Sequence, residues 1–229
     1  MLLRGFLLLA LLFAFPLQAE VEEDLVLGIE SVTGLRTNYI YRGFELANAT
    51  LEAQLETEIS LDNDFSVGLA AWHIAESSGD FSETALGVNL RRDFQDFSLT
   101  ASLDYRFFSE TFFRDGIDLG LKGQWFINDN WDLSTKLNYD FGADGLYFAI
   151  EGGWSQPLGE DLFLSAHSGI SAVNDYFDRN GLNDFYGRLS LTYNVNSFLS
   201  LSPFVGYTIG IADEASEQAY AGIWLAVSF

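Results

Sequence analysis

Phe97-Ser98-Leu99-Thr100-Ala101-Ser102-Leu103-Asp104-Tyr105-Arg106-Phe107-Phe108 decides how the rest of the chain is read. Its odd positions, Phe97, Leu99, Ala101, Leu103, Tyr105 and Phe107, are all apolar. Its even positions begin Ser98, Thr100, Ser102, Asp104 and Arg106. A strand sends successive side chains to opposite faces, so this segment has one greasy face and one polar face. The greasy face is unbroken for about 11 residues, the length of a strand that crosses a bilayer at a tilt of about 45°.

The same alternation recurs on both sides of this segment. Leu51, Ala53, Leu55, Thr57, Ile59 and Leu61 alternate with Glu52, Gln54, Glu56, Glu58 and Ser60; near the end, Ala221, Ile223, Leu225, Val227 and Phe229 share one face. Short clusters that hydrogen-bond their own backbone separate the runs, among them Asp62-Asn63-Asp64 and Asn128-Asp129-Asn130. The pattern predicts twelve strands. The first covers 25–41, the second 51–61, with a connection over 43–49 between them; the longest loop covers 173–184. Bacterial single-chain outer-membrane barrels have even strand numbers, short periplasmic turns and longer outer loops. The expected fold is therefore an all-β transmembrane antiparallel β-barrel of 12 strands, with both N- and C-termini periplasmic. A soluble β-sandwich or lipocalin-like barrel would bury the greasy faces instead.

Composition fits this reading. The 229 residues are 48% hydrophobic and 16% aromatic, with 21 Gly against 3 Pro. There is no Cys, hence no disulfide framework. A formal net charge of −22 argues against a nucleic-acid partner, because phosphates are repelled. Residues 1–19 resemble a signal peptide: a basic start through Arg4, an apolar run to Phe15, and a small residue, Ala19, at the expected cleavage site. Residues 20–229 then form the barrel. No later apolar run is long enough for a spanning helix, so a membrane crossing requires a closed barrel with its backbone paired between strands.

The polar faces turn toward the lumen. In the first hairpin, setting Arg42 opposite Glu52 also sets Arg36 opposite Glu58, and opposite charges across a strand pair stabilise that register. A turn centred on Asp129 places Lys122 opposite Lys136, a repulsive pair that needs counter-charges alongside. Asp104, Arg106, Asp118, Lys122, Lys136 and Glu151 form the expected lumenal charge cluster, with Lys136 opposite Glu151. It either zips the wall together or lines a constriction that selects solutes by charge. Tyr39, Tyr41, Trp125, Trp131 and Tyr193 are expected on the outside as interfacial girdles.

The segment Thr37-Asn38-Tyr39-Ile40-Tyr41-Arg42-Gly43-Phe44 resembles the Tyr-x-x-Arg-Gly signature of the TorF-family porins, over roughly residues 25–60; beyond that only the alternation matches. Glu45-Leu46-Ala47-Asn48 stands where that family tends to have a Ser- or Thr-rich segment. The resemblance implies a bacterial outer-membrane location and passive passage of small solutes. The terminal Phe229 resembles the end of most outer-membrane barrels, which implies that the insertion machinery reads it. Outer-membrane lipid and small solutes are the other expected partners.

Little points to an enzyme. His167 and Ser168 are neighbours and project to opposite faces, so they cannot act as base and nucleophile on one face. The segment Asn174–Asp184 lacks the final Glu of a calcium loop. No catalytic residue, metal or cofactor is assigned. The alternative to a channel is a closed structural or adhesive barrel that binds partners through its outer loops.

Overall fold

The computed structural model describes residues 27–109, 113–212 and 215–229. The expected signal peptide, 1–19, lies outside the described residues. Twelve strands follow in order: β1 (Leu27–Tyr41), β2 (Phe44–Ser60), β3 (Phe65–Glu76), β4 (Ser82–Asp93), β5 (Phe97–Phe108), β6 (Gly116–Phe126), β7 (Trp131–Asp140), β8 (Gly145–Pro157), β9 (Leu162–Tyr176), β10 (Arg179–Asn194), β11 (Leu199–Gly210) and β12 (Gln218–Ser228). Each pairs antiparallel with its neighbours in sequence, and β1 pairs with β12 to close the barrel. Closure leaves no free strand edge, as a sheet in hydrocarbon requires.

The barrel is inside-out relative to a soluble protein. Along β5 the exposed positions are the apolar ones: Leu99 is 40% and Leu103 43% exposed, whereas Ser98 is 4%. Leu86, Leu121, Leu137 and Ile209 continue the exposed belt around the circumference. So large an apolar surface is stable only against lipid. No helix of the described residues is long and apolar enough to cross a membrane; the strands form the membrane-spanning wall. Trp125, Trp131 and Tyr193 are exposed near strand ends, at girdle positions.

The connections after the even strands, through β10, are three or four residues long and lie on one rim, together with the start of β1 and the end of β12. That rim is assigned to the periplasm. The strand ends that flank the two longest intervals between strands, Phe108 and Gly116, and Gly210 and Gln218, lie on the opposite rim.

Two hairpins differ from the expected layout. Of the segment 43–49, expected as a connection, residues 44–49 belong to β2, because the turn is only Arg42-Gly43, with φ of 48° and 80°. Positive φ at both central residues is the two-residue turn whose twist matches paired strands. The segment 173–184, expected as a loop, is the continuation of β9 and β10 around a two-residue turn at Phe177-Asp178. Their φ values of 49° and 63° put two non-glycine residues in the left-handed region. Gly181, three residues past the second residue of that turn, lies at a register shift in β10.

These turns change the registers. Arg36 is opposite Thr50, Glu52 opposite Gly34 and Glu58 opposite Gly28, so the expected Arg36–Glu58 and Arg42–Glu52 alignments do not form. Glu151 is opposite Ser134 rather than Lys136, because β8 begins pairing at Gly145 with Asp140. Tyr39 and Tyr41 point inward, 5% and 8% exposed. A register shift between Tyr39 and Ile40, with Ala49 at φ 49° on the facing strand, accompanies this turning of the hairpin end.

Candidate functional site

The β1–β2 hairpin tip lies across the outer mouth of the barrel. Arg42 is its centre. Its guanidinium pairs with Asp118 on β6 and lies 3.5 Å from Asp140 on β7. It also donates to the Tyr176 hydroxyl on β9 at 3.1 Å. The rings of Tyr41 and Tyr147 stand 5.0 and 4.9 Å from the same cation. β6 and β7 are on the far side of the barrel from β1, so these contacts require the hairpin to cross the lumen.

The flanking residues complete the layer. Tyr39 donates to Glu83 on β4 at 2.7 Å, and Arg106 on β5 pairs with the other Glu83 oxygen at 2.5 Å. The Tyr39 ring packs against Trp72 and Phe81, and Tyr41 against Phe108. The Arg42 carbonyl accepts from Arg179 and Asn183, each at 3.1 Å. The Gly43 carbonyl accepts from the Ser216 amide at 2.8 Å. A side chain on Gly43 would meet Asn183, so glycine is needed here for space as well as for φ. Phe44 packs edge-on against Phe113 and Phe177, with the Arg179 guanidinium 3.4 Å from its ring centre.

Ile74, Glu83, Tyr176 and Asn183 are 0% exposed and Asp118 is 1%. Such complete burial of side chains from β3, β4, β6, β9 and β10 at one level makes the tip a packed seal. Below it the lumen opens. Glu56 and Glu58 are exposed, and a cavity of about 460 Å³ is lined by Glu56, Glu58, Arg91, Lys122, Lys136 and Asn138, among others.

The expected charge cluster therefore divides in two. Arg106 and Asp118 belong to the seal, through Glu83 and Arg42. Lys122 stands opposite Lys136 in the open part, and Lys136 is 3.6 Å from Glu151 by a diagonal approach. Asp104 lies directly opposite Asp118 and lines a space shared with Tyr41 and Arg106. Of the four hairpin residues, Arg36 pairs with Glu52 at 2.5 Å, Arg42 joins the seal, and Glu58 faces the open lumen. Arg36 also lies 5.8 Å from the Trp224 ring, which stacks on Phe204 and occupies the room left by Gly34. This group is part of the wall. His167 stands opposite Gly153, 3.9 Å from Glu151, and His73 bonds Thr84 at 2.9 Å.

Sequence reasoning missed Glu83, Asp140, Tyr176 and Asn183 as members of the site. Asp140 carried a signal, its inward parity on β7. The others act only once the hairpin has reached them across the lumen.

No family model matches the chain, and no curated protein matches it. Solved structures do resemble it. A KdgM porin superposes with a TM-score of 0.58 at 13% identity, covering 88% of this chain and 99% of that one. A NanC porin gives 0.56 at 12% identity, with 88% and 98% covered. An outer membrane channel from Pseudomonas putida F1 gives 0.59 at 10% identity, with 94% and 100% covered. At these identities the likeness is one of fold, a closed barrel of the outer-membrane type.

Proposed function

We propose that the protein is a channel of a bacterial outer membrane that passes small solutes passively, with the β1–β2 hairpin tip as its closure and lumenal charge as its filter. The observation that carries the reading is the contrast along the axis: a buried layer around Arg42 above, and a wet, charged cavity of about 460 Å³ below. A barrel built only as a wall has no need to keep Lys122 facing Lys136 over open space. The fold neighbours support the reading by analogy; one of them is described as a KdgM porin in complex with disordered oligogalacturonate. The Tyr39-x-x-Arg42-Gly43 turn, on which the resemblance to TorF-family porins rests, is the turn that makes the seal. Phe229, 77% exposed at the end of β12, is available to the insertion machinery.

Planar-bilayer recording tests the proposal. The native barrel is expected to be closed most of the time, with discrete openings. A complete lack of current at every voltage, with liposomes that swell in no small solute, favours the second reading, a closed barrel that binds partners through its outer loops. The packed seal is the observation on that side. Where the barrel conducts, replacing both Lys122 and Lys136 with Glu is expected to move the reversal potential in a salt gradient toward cation preference. Unchanged selectivity assigns the two lysines to the wall alone.

A further inference from the structure

We propose that the lumen below the seal holds a station for small zwitterions, solutes carrying an ammonium and a carboxylate a few bonds apart, such as amino acids and short peptides. The inference rests on the channel reading and adds the class of solute.

The cavity below the seal carries opposite charges on different walls. Glu56 and Glu58 project from β2; Arg91, Lys122 and Lys136 project from β4, β6 and β7, and all five line the same space. β2 and β6 are separated by three strands, a third of the way round the barrel. Among the described residues, neither Glu56 nor Glu58 has a cationic partner at salt-bridge distance; Glu56 takes a hydrogen bond from Gln54. Lys122 likewise has no ion pair and faces the like charge of Lys136. Lys136 and Arg91 are each offset by one carboxylate, Glu151 and Asp93.

This arrangement differs from the Arg36–Glu52 and Arg106–Glu83 contacts elsewhere in the same lumen, where opposite charges meet at 2.5 Å and cancel. Here they are kept apart, and the field runs across the pore. A lone anion is attracted by one wall and repelled by the other, and a lone cation experiences the reverse. A solute with both charges gains at both ends when its carboxylate lies toward Lys122 and its ammonium toward Glu56 and Glu58. Asn89, Thr100, Ser102 and Asn138 supply neutral donors and acceptors for the atoms between.

Proteoliposome swelling is the test, with diglycine as the zwitterion and N-acetylglycinamide as a neutral solute of similar size. Both are run on the native barrel and on Arg42→Ala, in which the seal is weakened. Diglycine is expected to enter about fivefold faster than the amide, the effect of weak charge pairing at both ends in a hydrated pore. Glu56→Gln with Glu58→Gln is expected to bring the ratio to about one. Lys122→Gln is expected to lower the ratio as well. Exchanging the two walls, with Glu56→Lys and Glu58→Lys combined with Lys122→Glu and Lys136→Glu, turns the field round and is expected to restore the preference. Equal rates for the two solutes in the unsubstituted station, or a ratio that ignores the glutamine variants, overturn the station and leave the channel standing. Swelling with neither solute in either barrel overturns both.

Discussion

Arg42→Ala is expected to turn a mostly closed barrel into a mostly open one. The guanidinium is 9% exposed, its partner Asp118 is 1% and Asp140 is 9%. Asp118 also stands opposite Asp104, so losing Arg42 leaves Asp118 and Asp140 without their shared cation and next to a third carboxylate. Removing one member of a buried ion pair costs about 3–5 kcal/mol, mostly because the remaining charge stays buried and unpaired. In the open state those carboxylates regain water and the penalty falls away. The loss therefore acts on the closed state and shifts the closed-to-open ratio by roughly 10²- to 10⁴-fold. Steady current in planar bilayers in place of brief openings is the readout. Arg42→Lys keeps the charge but loses the forked reach to Asp118 and Tyr176, and is expected to fall between. If Arg42→Ala conducts no more than the native protein, the guanidinium is not what holds the hairpin across the mouth.

Leu103→Arg is expected to lose about 2–4 kcal/mol of stability, the depth-dependent cost of a cation at the bilayer midplane on the lipid face. Leu103 is in the middle of β5, 43% exposed on the outer surface, between Val88 and Leu119 on the neighbouring strands. Its chain neighbour Ser102 faces the lumen, and Ser102→Ala is expected to change stability by no more than about 0.5 kcal/mol. Reversible guanidinium unfolding in lipid vesicles measures both. The contrast between adjacent residues is the informative part, since it reports which face meets hydrocarbon. A protein that tolerated Leu103→Arg and stayed dispersed in buffer without lipid would not be a membrane barrel.

How much was legible varied along the chain with how local the controlling interactions are. The bounds of β5 match the two-residue period residue for residue, since alternation is a property of the strand's own side chains. The Lys122–Lys136 pairing followed from the tight turn between β6 and β7, whose register is set by three or four neighbouring residues. The first hairpin was misread because its turn carries Arg rather than Asn or Asp ahead of Gly, and because Glu45 to Asn48 shows no clean alternation although it is strand. A register drawn from charge complementarity alone was then displaced. Arg36 did find a glutamate, but it was Glu52, reached diagonally across the barrel wall.

By itself, the sequence determined the wall: antiparallel strands, an oily exterior and a polar lumen, because each strand's period separates its two faces before any partner is chosen. Only the tertiary structure decided that Tyr39 and Tyr41 turn inward, that Arg42 meets carboxylates about 76 and 98 residues away, and that the mouth is sealed while the cavity beneath it is not. Those contacts depend on where a hairpin end points once the cylinder has closed. Closure is a property of all the strands together, and no single stretch of chain encodes the distance across it.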